Sequence, residues 1–456
     1  MSTHIRTRSH RAEFALAIVV LLIFAVGHFG YQNATENLAE GLAISPDAES
    51  TALYCTGFTG GGGATPAVVT FVDSSNEGHD VTATLVSSTG ASRVVTLHVP
   101  AHGVSQLTPS EFPGNGYYSV SALVHGGGVS ASSSFTRAAT SVIPCVGQGD
   151  VTWYSSGLST HVGADAYLTM FNPTAGDDVV SITALSPTGF SAPSGLQGLV
   201  LAAHTTTTID LGASVVNQTD IMATVRAQRG SVVVSALQMN ASSKTSASAT
   251  GGVISPSRFA VFPSTTTVDG LRSVLAIANP TNAPAVVSVS VVIRPYATQR
   301  LSITVNALSV GDLVVSPSSG VPAAGAAVLR VTSTMPIVTT LVTQLDNKKN
   351  QWLIAPALPG SYQAIVDPTG QGFSSASLVN TGDQSASVVL TAHNFTGSHS
   401  VTLIVPAHDS RVLNSDTVSA WKAGAVTVTT DHPLYVSAAV AGPYLEGAVE
   451  NGLGVR

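Results

Sequence analysis

The sequence predicts an all-β protein, built as four tandem β-sandwich repeats behind one N-terminal membrane-spanning helix. Three observations lead there. Two short anchors recur together four times at intervals near 100 residues, hydrophobic residues alternate with period two between them, and one long apolar run stands near the N-terminus.

The apolar run comes first in the chain. Phe14 to Tyr31 reads FALAIVVLLIFAVGHFGY, which as a helix rising about 1.5 Å per residue nearly spans a hydrocarbon core of roughly 30 Å. Arg6, Arg8 and Arg11 precede it, while Glu36, Glu40, Asp47 and Glu49 follow. The positive-inside bias therefore predicts a cytoplasmic basic tail over 1–13, a transmembrane signal anchor over 14–31 and a linker over 32–50. The expected location is the cell membrane, single-pass, with the bulk of the chain extracytoplasmic. A cleaved signal peptide is the competing reading, because Ala25, Val26 and Gly27 offer small residues to a signal peptidase. The run continues past that point through Phe29 and Tyr31, which favours retention.

The repeats define the body. The first anchor ends a β-rich run at Asp73, Asn172, Asn279 and Asn380, separated by 99, 107 and 101 residues. The second anchor is Val99-Pro100-Ala101-His102, Leu201-Ala202-Ala203-His204, Val305-Asn306-Ala307-Leu308 and Val405-Pro406-Ala407-His408. Between them Val81, Ala83 and Leu85 alternate with Thr82 and Thr84, and Val287, Val289, Val291 and Ile293 repeat the pattern. Val120 to Val124 and Val129 to Ser133 flank Gly126-Gly127-Gly128 as a hairpin. After the apolar run no amphipathic helical period appears. Units of this size with short strands between Gly, Pro, Asn and Asp match immunoglobulin-like β-sandwiches, predicted over 51–145, 146–245, 256–347 and 360–456. A β-propeller of eight blades is the alternative; the lack of similarity at half the repeat length favours sandwiches.

Composition narrows the function classes. Charged residues are 9% of 456, against roughly 25% in an average domain, and the net charge is −7. That balance excludes charge-rich disorder and gives no footprint for a nucleic acid partner. Cys55 and Cys145 are the only cysteines, and in an exported chain an even pair predicts a disulfide.

Each motif has a functional and a structural interpretation. His102, His204 and His408 share a repeat position that Leu308 fills in the third unit, which points to a turn rather than a ligand. Asn172, Asn279 and Asn380 fit local Asx turns. Asp73, Asn76, Glu77 and Asp80 crowd one turn and form a weak calcium candidate without the D-x-D-x-D-G order. Gly60 to Gly63 has no following Gly-Lys-Ser/Thr and reads as a turn, not a phosphate loop. Trp153, Tyr154, Trp352 and Trp421 are the candidates for a glycan contact or an interdomain contact. Sequons stand at Asn33, Asn217, Asn240 and Asn394. No nucleophile elbow, zinc helix or catalytic-Cys context occurs, and no cofactor or resident metal is expected.

The basic-tailed span, the Cys pair confined to the first unit and the repeated anchors together resemble an actinobacterial family of exported proteins, domain of unknown function 5719. The resemblance implies an envelope-associated protein, often encoded near cell-envelope glycosyltransferases, with no activity to carry over. Asn306 and Leu308 in the third unit depart from the Pro and His of the first and fourth. The expected function is a non-catalytic, membrane-anchored scaffold or interaction protein of the bacterial cell envelope, with envelope proteins or glycans as partners. A cell-wall glycan-binding module is the alternative, and an enzyme acting on envelope polysaccharide a third reading.

Overall fold

The computed structural model describes residues 49–456 except 61–66, 109–110, 113–115, 138, 241–246, 269, 295, 325–326, 346–350, 367–372, 395–396, 415–424, 441–448, 452 and 456. Gly41–Arg456 form one compact unit. The apolar run over 14–31 lies outside the described residues. Among the described residues no helix is long and apolar enough to cross a membrane.

Among the described residues every regular element longer than one 3₁₀ turn is a strand. Repeat one holds β1 (Thr51–Gly60), β2 (Ala67–Asp73), β3 (His79–Ser87), β4 (Ser92–Val99), β5 (Val104–Leu107), β6 (Gly116–Val124), β7 (Val129–Arg137) and β8 (Ala139–Pro144). Repeat two holds β9 (Thr152–Leu158), β10 (Ala164–Phe171), β11 (Asp178–Ser186), β12 (Gly189–Ser191), β13 (Leu199–Leu201), β14 (Thr206–Asp210), β15 (Ile221–Ala227), β16 (Val233–Asn240) and β17 (Ala247–Gly251). Repeat three holds β18 (Ser257–Thr265), β19 (Leu271–Asn279), β20 (Ala285–Val292), β21 (Gln299–Val305), β22 (Ser309–Val314), β23 (Ala327–Leu345) and β24 (Gln351–Ile354). Repeat four holds β25 (Pro359–Val366), β26 (Phe373–Val379), β27 (Ala386–Asn394), β28 (Gly397–Val405), β29 (Ser410–Asn414), β30 (Ala425–Val440), β31 (Val449–Asn451) and β32 (Leu453–Val455).

One topology serves all four repeats. In repeat one the antiparallel sheets run β1-β6-β3-β4 and β5-β2-β7-β8. Repeat two gives β9-β15-β11-β12 and β14-β10-β16-β17. In repeats three and four the long strands β23 and β30 pass from one sheet into the other, but the pairings are the same. The two sheets of a repeat share a core, as Leu53, Val81 and Val120 do with Val69, Phe71 and Val129. This corrects the expected immunoglobulin-like order. An immunoglobulin domain pairs its first strand with its second, whereas here the first strand lies beside the sixth and the seventh beside the second.

The tandem repeats also pack on one another. The outer face of the β1 sheet packs on β10, β14 and β16 of repeat two, and β9 and β11 pack on β19, β22 and β23 of repeat three. In turn β18 packs on β26 and β30, and β25 of repeat four returns to β2 and β7 of repeat one. Counting β23 and β30 in both of their sheets, eight sheets stack face to face in a closed cycle. The alternative, a propeller, anticipated such a ring, but its blades are consecutive meanders. Here each repeat interleaves two sheets, so the sequence period is the pair.

Burial on both faces explains the composition. A sheet stacked between its own core and its neighbour has no solvent side, so its strands lose alternation. Ser273 through Asn279 in β19 are all buried. The neighbouring β20, nearer the rim, keeps strict alternation, with Val287, Val289 and Val291 inside and Val286 and Ser288 exposed. Many hydroxyls are therefore interior, including Ser132, Ser155, Ser156, Ser235, Thr340, Ser377 and Ser437. Small residues let the backbones approach. A Cβ on Gly57 (φ +88°) would lie 2.1 Å from Ser235 Oγ, and one on Gly157 (φ +75°) 2.9 Å from Val342. The last strands also staple repeats together: Ala249 N–H donates to Ser141 Oγ (3.2 Å) and Leu353 N–H to Ser248 Oγ (2.8 Å).

Cys55 and Cys145 form the predicted disulfide, with Cα atoms 4.4 Å apart and a sequence separation of 90. It joins the two sheets of repeat one and closes a loop whose chain entropy is worth about 4 to 5 kcal/mol. Beside it Tyr54 and Val146 form a backbone bridge, which Tyr154 with Val253 and Val261 with Ala357 repeat without a disulfide.

Candidate functional site

The two sequence anchors are one structural device. Asn172, Asn279 and Asn380 are 0–1% exposed. Asn279 Nδ2 donates to Ala283 O (2.8 Å), Val305 O (3.2 Å) and Asn306 O (3.0 Å), and its Oδ1 accepts from Thr281 N–H (3.1 Å). Asn172 makes the same set with Gly176, Leu201, Ala202 and Thr174. The side chain thus sews its own turn to the end of the fourth strand. The residue closing the second anchor takes a left-handed conformation in every repeat: His102 (φ 51°), His204 (53°), Leu308 (49°) and His408 (56°). That conformation is a turn requirement which His or Leu meets at a modest steric cost.

Repeat one carries Asp73 at the Asn position, and a carboxylate cannot donate. His79 Nδ1 meets Asp73 Oδ2 at 2.7 Å, and Ser75 donates to Oδ1 through both its N–H (2.8 Å) and its hydroxyl (2.6 Å). The remaining residues of the calcium candidate point elsewhere. Asn76 Oδ1 meets His102 Nε2 at 3.0 Å, Asp80 meets His98 Nδ1 at 2.8 Å, and Glu77 is exposed. Among the described residues no group of three or more His, Cys, Asp or Glu could hold a metal ion. Trp153 is 4% exposed and its Nε1 donates to Val232 O (2.5 Å), so the ring is core. Tyr154 is half-buried against Val253 and Met222 at the junction with repeat three. Trp421 and the Trp352 side chain lie outside the described residues, as do Gly61 to Gly63, Asn33 and the side chains of Asn240 and Asn394. Asn217 sits in a positive-φ turn.

The register makes the four junctions directly comparable. Thirteen residues after each buried Asx, at Val86, Leu185, Val292 and His393, a side chain near the end of the third strand faces the next repeat. Across the junction, near the start of the strand that follows the second anchor (β14, β22, β29 and β5), stand Thr206, Val310, Ser410 and Val104 respectively. From repeat one to two, Thr206 Oγ1 donates to Val86 O (3.1 Å). From two to three, Leu185 and Val310 share an apolar cluster with Met222, Ala278 and Val338. From four to one, Val104 packs with Val72 and Ala425. Thr206, Val310 and Val104 are all buried.

The junction from repeat three to four stands open at the rim. Val292 packs near Val379 and Tyr435, but Ser410 is only half-buried, and a cleft of about 410 Å³ lies between the sheets. Val292, Arg294, Ala324, Ala327 and Val328 form one wall; Ser410, Arg411 and Val412 form the other. The Arg294 guanidinium pairs with Asp409, whose Oδ1 also accepts from Ser410 N–H (2.7 Å). Deeper in the junction Arg330 donates to His408 O (3.2 Å) and Asn380 O (3.5 Å), and burial holds its pKa below the ordinary value. Burial also pushes Tyr435 up to about 12.

Two other junctions carry titrating groups. At the closing junction His393 is 1% exposed. Its Nδ1 lies 3.1 Å from His102 O and so donates to it, which leaves Nε2 to accept from Thr427 Oγ1 (2.8 Å). Burial lowers the His393 pKa; the bond to His102 O opposes this, the His102 charge reinforces it and Asp73 opposes it. Between repeats two and three, partial burial of its carboxyl, the Asp220 charge and a hydrogen bond between the two carboxyl groups raise Asp312 to about 7, against Arg272. Asp312 is nevertheless exposed as a whole residue, so solvent screens this pair. Asp73, His102, Asn380 and His408 belong to the repeated anchors, whereas Arg294, Arg330, Arg411, Tyr435, Asp220 and Asp312 belong to no sequence motif. Outside the anchors only His393 carried a signal, as a lone His at a position that is apolar in the other three repeats.

Comparisons with known proteins leave the function open. The model of a family of unknown function, DUF5719, matches residues 142–253, bearing out the expected resemblance over that stretch. No curated protein matches. Among solved structures, a tetra-tandem repeat from the extending region of a large adhesion protein covers 90% of this chain and 96% of its own, at 14% identity and a TM-score of 0.13. The α-L-rhamnosidase of Streptomyces avermitilis, complexed with L-rhamnose, covers 73% of this chain and 47% of its own, at 10% identity and a TM-score of 0.16.

Proposed function

We propose that this chain is a non-catalytic, membrane-anchored scaffold or interaction protein on the outer side of the bacterial cell membrane. The closed cycle of eight stacked sheets carries this reading, because the repeated polar residues are spent on the ring itself. Asn172, Asn279 and Asn380 bind turn carbonyls, and the anchor His residues serve a left-handed turn. The Arg-flanked apolar run over 14–31 supports the anchor, and the buried Cys55–Cys145 disulfide supports an oxidising compartment.

The two other readings lose ground on particular residues. Trp153, the first candidate for stacking on a sugar, is core. Asp220 and Asp312 share a direct hydrogen bond, whereas paired acids of a glycosidase stand about 5 Å or more apart to admit the sugar. Protease treatment of intact cells, with an epitope tag at each terminus, tests the proposal. The expected result is a membrane-sedimenting chain whose C-terminal tag is digested and whose N-terminal tag is protected. Protection of both tags, or a soluble chain beginning after Gly27, would contradict it.

A further inference from the structure

We propose that the cleft between repeats three and four is a binding site for an amphiphilic monoanion, a carboxylate carried on an aliphatic body. This inference goes beyond the scaffold reading and stands on the rim geometry alone. The first observation is the break in the pattern. At three junctions the residue near the start of the strand after the second anchor is buried, as Val104, Thr206 and Val310 are, and at the fourth Ser410 is only half-buried. The sheets are pinned together deeper in, by Arg330 on the carbonyls of Asn380 and His408 and by Tyr435 against Phe259. The opening is therefore held between fixed walls, and its volume of about 410 Å³ falls within the 300–1,000 Å³ usual for small-ligand sites.

The second observation is the lining. Val292, Val328, Val412, Ala324 and Ala327 supply apolar surface, with no aromatic face or side-chain amide to suit a sugar. The polar groups are the guanidinium groups of Arg294 and Arg411 and the Ser410 hydroxyl. Asp409 holds Arg294 in place, while Arg411 has no partner among the described residues. The whole chain has only 18 Lys and Arg and a net charge of −7. Arg294, Arg330 and Arg411 nonetheless gather at this one junction, facing Asp409 and a His408–Asp383 pair. Arg411 offers the planar fork that a carboxylate accepts, and the valine and alanine walls take the chain behind it.

Titration calorimetry of the full-length protein with n-decanoate, n-decanol, acetate and inorganic phosphate tests both halves of the inference. Decanoate is expected to bind saturably at one site, with decanol, acetate and phosphate each at least tenfold weaker. Arg411→Gln, an exposed change outside the core, should weaken decanoate at least tenfold and leave decanol unchanged. Val412→Trp, at the exposed edge of the cleft, should weaken both. Undiminished decanoate binding by Arg411→Gln, uptake at many sites, or phosphate binding as tightly as decanoate would overturn the assignment. Membrane topology does not enter these readouts, so the scaffold reading can fail without affecting them.

Discussion

The first three junctions and the closing one are built on the same register, yet they differ at one position. Val86, Leu185 and Val292 present apolar side chains to the next repeat, whereas His393 presents an imidazole to repeat one. An apolar plug needs only a fitting surface. A buried His must be neutral and must satisfy both nitrogens, which His102 O and Thr427 Oγ1 do. The contact that closes the ring thus carries, at this shared position, a geometric and a protonation requirement, and it joins the two ends of the repeat array.

The largest effect is expected from moving an imidazole into an apolar junction. Leu185→His places an imidazole in the apolar cluster of Met222, Ala278, Val310 and Val338, and should cost about 2 to 4 kcal/mol in denaturant unfolding at pH 8. A neutral outcome would mean that the junctions are not tightly packed. Next in size is Gly157→Ala, which must fit a Cβ 2.9 Å from Val342 at a positive φ. The expected loss is about 1 to 3 kcal/mol, and the same change at Gly90, which has nothing within 4 Å, should show only the φ penalty.

Acid should act on the closing junction. The folded His393 pKa lies below the unfolded value of about 6.5, so the unfolded chain binds the extra proton first. His393 therefore contributes full stability above about pH 6.5, and the contribution is lost as pH falls toward the folded pKa. His102 and Asp73, from repeat one, are the titrating groups that face it. His393→Leu, which copies Leu185, should flatten the melting temperature between pH 7 and pH 5; an unchanged slope would remove His393 from the account. Asp312 has the opposite sign. Its pKa of about 7 lies above the unfolded value near 3.9, so the folded state holds the proton and stability falls as pH rises from about 4 through 7. Asp312→Asn should raise the melting temperature at pH 8 and leave it nearly unchanged at pH 4. The gain should be small, given solvent screening.

The parts of this fold legible in sequence were those that repeat. The Asx and Pro-Ala-His anchors recur because one side chain joins the turn to the strand end, so their spacing follows from a single hydrogen-bond set. Alternation in β3 and β20 marked their inward residues correctly, Val81, Ala83 and Leu85 among them. The strands between two sheets lose alternation, and nothing in β19 or β23 says which neighbour covers the second face. The immunoglobulin-like order failed for a related reason: unit length fixes neither strand pairing nor closure. Ring closure depends on pairs such as His393 and His102, 291 residues apart, and a single sequence carries no mark of that contact. The cleft was invisible for the same reason, since Arg294 and Arg411 meet only across a junction.

Small-angle scattering of the chain from Gly41 onward tests most directly whether the four repeats close into one ring. A compact body of this length should give a radius of gyration of about 22 Å, against about 40 Å for four such repeats end to end. A value near the first, rising when His393 is protonated at low pH, is the result expected. A value near the second at neutral pH would contradict the ring.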